Sequence, residues 1–515
     1  MVGSFWAFAP AIVAIALALV SKQVYLSLFV GILTGALLYT GGNPLEALGT
    51  TYTVMSEKVG GNVSILVFLV ILGIFVVLMQ KSGGSRAYGR WAGEKIKSKR
   101  GAAGATAGLG CLIFVDDSFN CLTVGSVMRP ITDKFRISHA KLAWIIDSTA
   151  APVCIIAPIS SWAAAVSGQL EGDGLVVFMK TIPFNVYAIL TIIMVFVFCS
   201  LGIDFGKMKK NEQIAEETGD LNAGETDLPT DEDRSIVASQ RGKVRHLIVP
   251  VIILIACCVG GMIYSGFYFN WDTGAYGTAL QSANVIEAFS NCDAGSALAI
   301  GSTIALILVG IYYMFDKVLS FKDITDSITQ GFKTMVPAIL ILTFAWTIAG
   351  IMGAKGGYLD AQLFVETNMS MIPQTVQAFY PAIFFVLSCA IAFATGTSWG
   401  TFGVLVPIAV TILGGSGTLV LLTVSATLGG AVFGDHVSPI SDTTILASTG
   451  GNCNHVDHVK TQLPYASLIA GISFISYVVA GLLATYGSMV SVAAMWIVAL
   501  AIFGAVVVVL KKKNA

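Results

Sequence analysis

The chain has 515 residues, of which 55% are hydrophobic and only 11% are charged, and its mean hydropathy is +0.81. Soluble proteins carry about 25% charged residues, so this composition indicates a polytopic membrane protein whose first partner is the lipid bilayer. The formal net charge of −1, without a basic block interleaved with aromatic residues, argues against nucleic-acid binding. The nine cysteines show no CxxC spacing and predict neither disulfides nor a zinc site.

Eleven apolar stretches are long enough to cross about 30 Å of hydrocarbon. They cover residues 6–20, 24–40, 63–80, 142–166, 183–203, 246–266, 294–315, 336–353, 417–447, 464–485 and 489–510. The first stretch lacks a basic flank and a cleavage site, so it is predicted to be a retained span rather than a signal peptide. Residues 102–126 and 379–413 are rich in small and polar side chains, and each is predicted to be a re-entrant hairpin or a broken crossing. The predicted fold class is an all-α polytopic membrane protein with about eleven transmembrane helices and two such hairpins.

The distribution of lysine and arginine predicts the orientation of the chain. The basic loops 81–101, 127–141 and 204–245 are assigned to the cytoplasm, whereas 267–293 has no Lys or Arg and is assigned to the outside. The run Lys511-Lys512-Lys513 places the C-terminus in the cytoplasm and, with eleven spans, the N-terminus outside. The loop 204–245 is also acidic and is interpreted as a solvated, partly disordered linker between an N-terminal half, 1–203, and a C-terminal half, 246–515.

The two halves share sequence landmarks in the same order. A Gly-Gly pair follows a span, a Ser-aromatic pair lies in the hairpin candidate, and a Pro-Ile-Ser run comes later. From Ser118 to Pro158 is 40 residues, and from Ser398 to Pro439 is 41. Because the first Gly-Gly pair is assigned inside and the second outside, the repeat, about 24–203 and 294–485, is predicted to be inverted. Inverted repeats with paired broken helices are typical of secondary transporters. No GxxxxGK[ST] motif is present, which argues against ATP-driven pumping within this chain.

Acidic side chains at membrane depth are costly and therefore indicate function. Five are predicted there: Asp116, Asp117, Asp147, Asp435 and Asp442. Na⁺ prefers oxygen ligands, and a proton-coupled carrier needs a buried carboxylate. The candidate ion- or substrate-binding residues are Asp117, Ser118, Asn120, Asp147, Ser160, Thr397, Ser398, Thr401, Asp435, His436, Ser438, Ser441, Asp442 and Thr443.

Some of these assignments carry alternatives. Na⁺ is placed at Asp117, Ser118, Asn120, Ser441 and Asp442. His436 is either a proton relay or a partner that satisfies Asp435. Asp116 has a structural or a functional role, and Trp162 and Trp399 either wall the cavity or only pack. Cys453, His455, Asp457 and His458 match no common metal-site spacing and are assigned to a solvated cytoplasmic loop.

The motifs then identify a family resemblance. The run 434–446, Gly-Asp-His-Val-Ser-Pro-Ile-Ser-Asp-Thr-Thr-Ile-Leu, together with 453–459, 461–465, 396–401 and 117–120, resembles the NhaC-type sodium/proton antiporter family. The resemblance implies a bacterial inner-membrane exchanger that extrudes Na⁺ against entering H⁺. Similar proteins exchange organic acids such as malate and lactate, or take up amino acids with Na⁺.

Two functions follow as hypotheses. The first is Na⁺/H⁺ antiport by alternating access, in which Asp117 and Asp442 bind Na⁺ when ionised and H⁺ when protonated, so that both ions compete for one site. The second is Na⁺- or H⁺-coupled transport of an organic acid or amino acid. A channel, a receptor or an enzyme is disfavoured, no cofactor beyond the transported ions is expected, and a homodimer is left open.

Overall fold

The computed structural model describes residues 2–514 apart from 22, 171–173, 227–237, 271–274, 279, 291, 353–357, 362, 365–366, 368–373, 415–416 and 440. The regular secondary structure of the described residues is helical except for one short antiparallel hairpin. In it, strand β1 (Phe269–Asn270) pairs with strand β2 (Ala275–Tyr276). Short 3₁₀ turns lie at Phe5–Phe8, Ile182–Phe184 and Ala484–Tyr486.

The helices alternate between long spans and short, interrupted segments. The N-terminal half contains α1 (Ala9–Ser21), α2 (Val24–Tyr39), α3 (Pro44–Gly61), α4 (Val63–Ser82), α5 (Gly84–Lys95), α6 (Lys99–Leu112), α7 (Asp117–Lys134), α8 (His139–Ser148), α9 (Ala151–Cys154), α10 (Ser161–Ser167), α11 (Gly174–Thr181), α12 (Val186–Leu201) and α13 (Gly206–Thr218). The C-terminal half contains α14 (Arg245–Tyr268), α15 (Val285–Ser290), α16 (Ala294–Phe315), α17 (Phe321–Met352), α18 (Gln374–Gln377), α19 (Tyr380–Thr395), α20 (Ser398–Leu413), α21 (Thr418–Val437), α22 (Asp442–Gly451), α23 (His455–Leu482) and α24 (Ser488–Asn514).

The all-α polytopic class is confirmed, but the count of eleven spans is not. Among the described residues, seven helices are long and apolar enough to cross a membrane, or nine if each of two bent pairs is one span. The predicted spans 142–166 and 417–447 are each interrupted, because polar residues near Pro158 and Pro439 end one helix and begin the next. Helix α3 was missing from the predicted spans and bends by 117° from α2.

In each half, two breaks between described helices carry the sequence landmarks in the same order. The first half breaks between α6 and α7 and again between α9 and α10; the second breaks between α19 and α20 and again between α21 and α22. Each new helix begins at a capping side chain that accepts a backbone N–H bond, as N-terminal amides require. These caps are Asp116, Ser160, Thr397 and Ser441. The second Gly-Gly landmark, Gly356-Gly357, lies outside the described residues, and the inverted sign of the repeat stays a prediction.

One side chain bridges the helix break within 102–126. Asn120 Nδ2 donates to the carbonyl oxygens of Gly110 at 2.7 Å and Ile113 at 2.9 Å. Ten residues of continuous helix would span about 15 Å, so α6 and α7 do not form one continuous helix. The re-entrant form of this segment stays a prediction.

The two halves meet closely where α7 crosses α22. A Cβ on Gly125 would lie 2.4 Å from the carbonyl carbon of Gly450, so only glycine allows the two backbones to approach this far. Small residues at helix crossings are the usual means of close packing in membranes. Nearer the two breaks, Cys121 Sγ of α7 lies 3.7 Å from the backbone oxygen of Thr443 of α22, so the starts of the two helices lie close together.

The linker 204–245 is more ordered than its acidity predicts. Helix α13 packs against α8 and α23, and Glu212 is only 5% exposed. Lys99 Nζ lies 3.0 Å from Glu212 Oε2, and Lys207 pairs with Asp457 of α23. These ion pairs hold the start of the linker against the helices, whereas residues 227–237 lie outside the described chain.

Candidate functional site

A cavity of about 330 Å³ lies where the interrupted helices meet. We call it the acidic cavity, because four carboxylates line it and none of its described lining residues is Lys, Arg or His. Its polar and aromatic lining includes Gln23, Tyr25, Asp116, Asp117, Ser118, Thr334, Thr395, Thr397, Ser398, Trp399, Asp435, Asp442 and Thr443. Both halves of the chain contribute, as expected for a secondary transporter.

Asp116 and Asp117 stand at the N-terminus of α7. Asp116 caps the helix by accepting the Phe119 N–H at 3.0 Å, and its second oxygen accepts a bond from the Ser161 hydroxyl at 3.2 Å. Asp117 accepts the Trp162 indole N–H at 3.0 Å. Asp116 therefore has a structural role and also lines the cavity, while Trp162 holds a carboxylate rather than merely packing.

Asp435 lies in the last turn of α21 and is 3% exposed. Its Oδ2 accepts a bond from the Thr443 hydroxyl at 3.0 Å, and Thr443 in turn lies 3.1 Å from the Ser441 hydroxyl. The Ser398 hydroxyl also faces this carboxylate. Asp435 thus has several hydroxyl neighbours and no cationic partner within the cavity lining.

Asp442 differs from the other three acids because its side chain is exposed. It begins α22 and lines the cavity beside Tyr25 and Gln23. At a helix N-terminus an ionised carboxylate is favoured by the helix dipole. The geometry places Asp442 at the entrance of the cavity, and Asp117 and Asp435 in its interior.

Several predicted site residues do not line the acidic cavity but build the breaks around it. Asn120 donates to Gly110, Ile113 and also Thr149 O at 3.0 Å, and Ser160 caps α10. Thr401 bonds back to Thr397 O at 2.8 Å, and Ser438 bonds to Phe393 O at 2.7 Å. Ser441 caps α22. Of the five residues proposed for Na⁺, Asp117, Ser118 and Asp442 line the cavity, while Asn120 and Ser441 support it.

Asp147 and His436 belong to a separate buried cluster. His458 Nε2 lies 3.3 Å from Asp147 Oδ2, and both side chains are 0% exposed. Gln462 donates to the same oxygen at 2.6 Å, and the Tyr187 hydroxyl lies 3.0 Å from His436 Nδ1. His436 therefore contacts tyrosine rather than Asp435.

The assignment of 453–458 to a solvated loop is wrong. Helix α23 begins at His455, Asp457 is 3% exposed and His458 is fully buried. The reason is charge compensation across the fold, since Lys207 of α13 pairs with Asp457 and Asp147 of α8 lies against His458. A sequence shows no such partners, because they lie hundreds of positions away.

Sequence reasoning also missed the residues that α2 and α17 supply to the acidic cavity. Tyr25 stands near the start of α2, and Thr334 and Pro337 lie in the middle of α17. Pro337 inside a helix was an available signal, because a proline removes a backbone hydrogen bond and frees a carbonyl.

A second cavity of about 730 Å³ adjoins the first, and Ser118 and Thr334 line both. We call it the basic cavity, because its described lining residues include two lysines, Lys81 and Lys333, and one acid, Asp323. Asp323 Oδ2 is already bonded to the Ser320 hydroxyl at 2.6 Å. Ser239 of the linker also lines this cavity, which therefore opens on the linker side.

Comparison with known proteins agrees with this architecture. A model of the Na⁺/H⁺ antiporter family matches residues 174–482. Over 513 residues the chain is 38% identical to an uncharacterized protein of Haemophilus influenzae, covering 95% of this chain and 93% of that protein. It is 34% identical over 155 residues to the malate-2H⁺/Na⁺-lactate antiporter of Bacillus subtilis, covering 29% of this chain and 31% of that protein.

The fold is similar to the crystal structure of the YdaH transporter of Alcanivorax borkumensis. The TM-score is 0.50 at 13% sequence identity, with 86% of this chain and 89% of that chain covered. The likeness concerns the fold alone.

Proposed function

This chain belongs to the Na⁺/H⁺ antiporter family, and on that premise we propose that it exchanges Na⁺ for H⁺ across the bacterial cytoplasmic membrane by alternating access. Membership makes it a multi-pass secondary transporter of the antiport type. The observation that carries the choice of Na⁺ is the charge of the acidic cavity. Four carboxylates line it without a basic residue among the described lining side chains.

Charge favours a cation over an organic anion in this cavity. Like charges repel each other more strongly inside a protein than in water, because the effective dielectric constant is about 20 rather than about 80. Asp117 and Asp435 are each at most 5% exposed, so water does little to offset their repulsion. A bound Na⁺ or a bound proton removes that cost, and hydroxyls of Ser118, Ser398 and Thr443 supply the neutral oxygens that a hard cation prefers.

The exchange follows from the same geometry. Ionised Asp117 and Asp435 bind Na⁺ from one side, and proton binding on the other side neutralises the cavity so that it returns without sodium. The breaks before α7 and α22 lie on the two halves, and movement of one half against the other would change which side the cavity faces. Trp162 is bonded to Asp117, and Trp399, whose ring centroid lies 5.9 Å from that of Trp162, lines the acidic cavity.

The test is proton movement in proteoliposomes that contain a pH-sensitive dye. Addition of NaCl is expected to drive a saturable proton flux in the wild-type protein and none, above the protein-free leak, in Asp435→Asn. The matched control is Asp293→Asn, because Asp293 caps α16 outside both cavities and Asn caps helices equally well. A wild-type level of exchange in Asp435→Asn would remove Asp435 from the site.

The basic cavity favours a second candidate, coupled transport of an organic acid. Lys81 and Lys333 give this cavity an excess of positive charge, which would attract carboxylates from the linker side and repel Na⁺. The B. subtilis relative is named for malate and lactate. In this candidate the organic anion enters through the basic cavity and reaches Ser118 and Thr334, where the two cavities meet.

Uptake of labelled malate, lactate and amino acids into proteoliposomes separates the candidates. Stimulation of malate or lactate uptake by a Na⁺ or pH gradient would support the second. Na⁺-driven proton flux without uptake of any organic solute would leave the first alone.

A further inference from the structure

The pair formed by Asp147 of α8 and His458 of α23 lies outside both cavities, between the two halves. Both side chains are fully buried, 3.3 Å apart, and neither lines a described cavity. We propose that the Asp147–His458 pair is a proton-binding site separate from the cation site in the acidic cavity. This inference rests on the proposed Na⁺/H⁺ exchange and specifies where one of its protons binds.

The chemistry of the pair suits a proton rather than Na⁺. Gln462 directs its amide N–H at Asp147 Oδ2, and an imidazole nitrogen occupies the other side of that oxygen. These groups are donors or nitrogen ligands, whereas Na⁺ requires several oxygens. With one shared proton the pair is neutral in either arrangement, as Asp⁻ with His⁺ or as two neutral groups. Without it, one net negative charge is buried.

The pair also keeps unused hydrogen-bonding capacity. Among the described residues, Asp147 Oδ1 and His458 Nδ1 have no hydrogen-bond partner. Buried polar atoms in a purely structural network are nearly always satisfied, because an unpaired one costs about 1–3 kcal/mol. Asp147 Oδ1 can therefore accept a further hydrogen bond, and His458 Nδ1 can accept or donate one, when the proton binds or moves to a neighbouring group.

Four further titratable groups face the pair from the helices packed around it. Cys121 of α7, Tyr187 of α12, and Asp435 and His436 of α21 all interact electrostatically with Asp147. Gln462 links the pair to α21, because the same Nε2 donates to Asp147 and, at 2.7 Å, to the backbone oxygen of His436. Asp435, which lines the acidic cavity, is the preceding residue. The pair and the cation site are therefore electrostatic neighbours.

This proximity couples the two ions without requiring a shared carboxylate. Loss of the proton from the pair adds negative charge beside Asp435 and favours Na⁺ in the acidic cavity. By linkage, Na⁺ in the cavity favours loss of the proton to the same extent. The arrangement differs from competition of both ions for Asp117 and Asp435, because a proton bound at the pair would weaken Na⁺ binding from outside the cavity.

The experiment measures the half-saturating Na⁺ concentration of exchange in proteoliposomes over a series of pH values. In the wild-type protein this concentration rises as the pH falls. Asp147→Asn removes the ionisable acid. The increase in the half-saturating Na⁺ concentration as the pH falls is therefore expected to be about tenfold smaller than in the wild type, which is the size of a typical allosteric coupling. His458→Gln is expected to displace the midpoint of the pH profile by about one unit or more, as loss of a charged neighbour does.

The matched control is His246→Gln. His246 is also buried and also contacts a carboxylate, with Nε2 2.7 Å from Asp316 Oδ2, but it lies in α14 and lines neither cavity. Its pH profile is expected to match the wild type. If Asp147→Asn and His458→Gln both keep the wild-type profile, the separate proton site is overturned while Na⁺/H⁺ exchange stands.

Two further outcomes are distinguishable. If the wild-type protein shows no Na⁺-driven proton flux, it is the proposed function that fails. If Asp147→Asn does not accumulate in the membrane, His458→Gln alone decides, and Asp147→Glu is expected to retain a wild-type slope because it keeps an acid at this position.

Discussion

The acidic cavity and the basic cavity share Ser118 and Thr334, yet their charges are opposite. Among the described lining residues, the smaller cavity has four acids and no basic side chain, whereas the larger one, beside the linker, has two lysines and one acid. A solute that passes both cavities would meet positive charge in the basic cavity and negative charge in the acidic cavity, and so would be selected at two steps. Under the two proposed functions, the substrate depends on which cavity binds it: the acidic cavity favours a cation, and the basic cavity favours an organic anion.

The crossing of α7 and α22 should be essential to the acidic cavity. In Gly125→Ala the new Cβ would meet the Gly450 backbone at 2.4 Å, and backbone atoms cannot yield as a flexible side chain would. We expect a loss of about 1–3 kcal/mol of stability from overpacking and loss of Na⁺-driven proton flux. Thermal unfolding followed by fluorescence, together with the flux assay, measures both effects.

The control for that variant is Gly104→Ala in α6, where a Cβ would have nothing within 4 Å. It should leave unfolding and flux near wild type. An unaffected Gly125→Ala would show that the two breaks do not need to lie this close.

The basic cavity has a similar crossing, where α17 meets α4. A Cβ on Gly331 would lie 2.4 Å from the Ile74 backbone nitrogen, so Gly331→Ala should also cost about 1–3 kcal/mol of stability. Because the acidic cavity is bounded mainly by other helices, we expect Na⁺-driven flux per folded molecule to fall less than in Gly125→Ala. The comparison of flux at equal amounts of folded protein checks this order. An equal loss would mean that α17 is as much a part of the cation site as α7.

Removing a positive charge from the basic cavity distinguishes the entry of an organic anion through that cavity from the binding of Na⁺ in the acidic cavity. Lys333→Gln should reduce the rate of any organic-anion transport several-fold, with a strong dependence on ionic strength, and leave the half-saturating Na⁺ concentration unchanged. The control is Lys322→Gln on the same helix, which does not line the cavity. A loss of Na⁺ exchange in Lys333→Gln alone would contradict the division of labour between the cavities.

The smallest expected effect concerns orientation. A green fluorescent protein fused after residue 515 should fluoresce without changing transport, because the C-terminal lysines predict a cytoplasmic end. The same fusion with an alkaline phosphatase reporter should be inactive. An active phosphatase would place the C-terminus outside and contradict the predicted orientation.

The sequence was sufficient for the all-α polytopic class and for a helix break within 102–126, because both depend on local signals such as apolar length and capping residues. The breaks before Ser160 and Ser441 lie inside stretches that were predicted as single spans, 142–166 and 417–447. The sequence also predicted Asp117 and Asp435 as site residues, and both line the acidic cavity. It did not show that Asp147 contacts His458, since the two lie 311 positions apart in the chain.

Two other errors have a similar physical origin. Asn120 has the chemistry of a Na⁺ ligand, but its amide holds the hairpin closed through three carbonyls. Helix α13 has the composition of a solvated linker, but Lys99 and Lys141 lie within ion-pair distance of Glu212 and bind it to the helices. In both cases a long-range contact decided between two roles that the local sequence allows equally.

Direct binding of radioactive Na⁺ to the purified full-length protein tests the central claim most directly. The wild-type protein is predicted to bind Na⁺ saturably, with protons competing, and the double variant Asp117→Asn, Asp435→Asn to bind none while Asp293→Asn binds as the wild type does. Undiminished Na⁺ binding in a folded double variant would contradict a cation site in the acidic cavity.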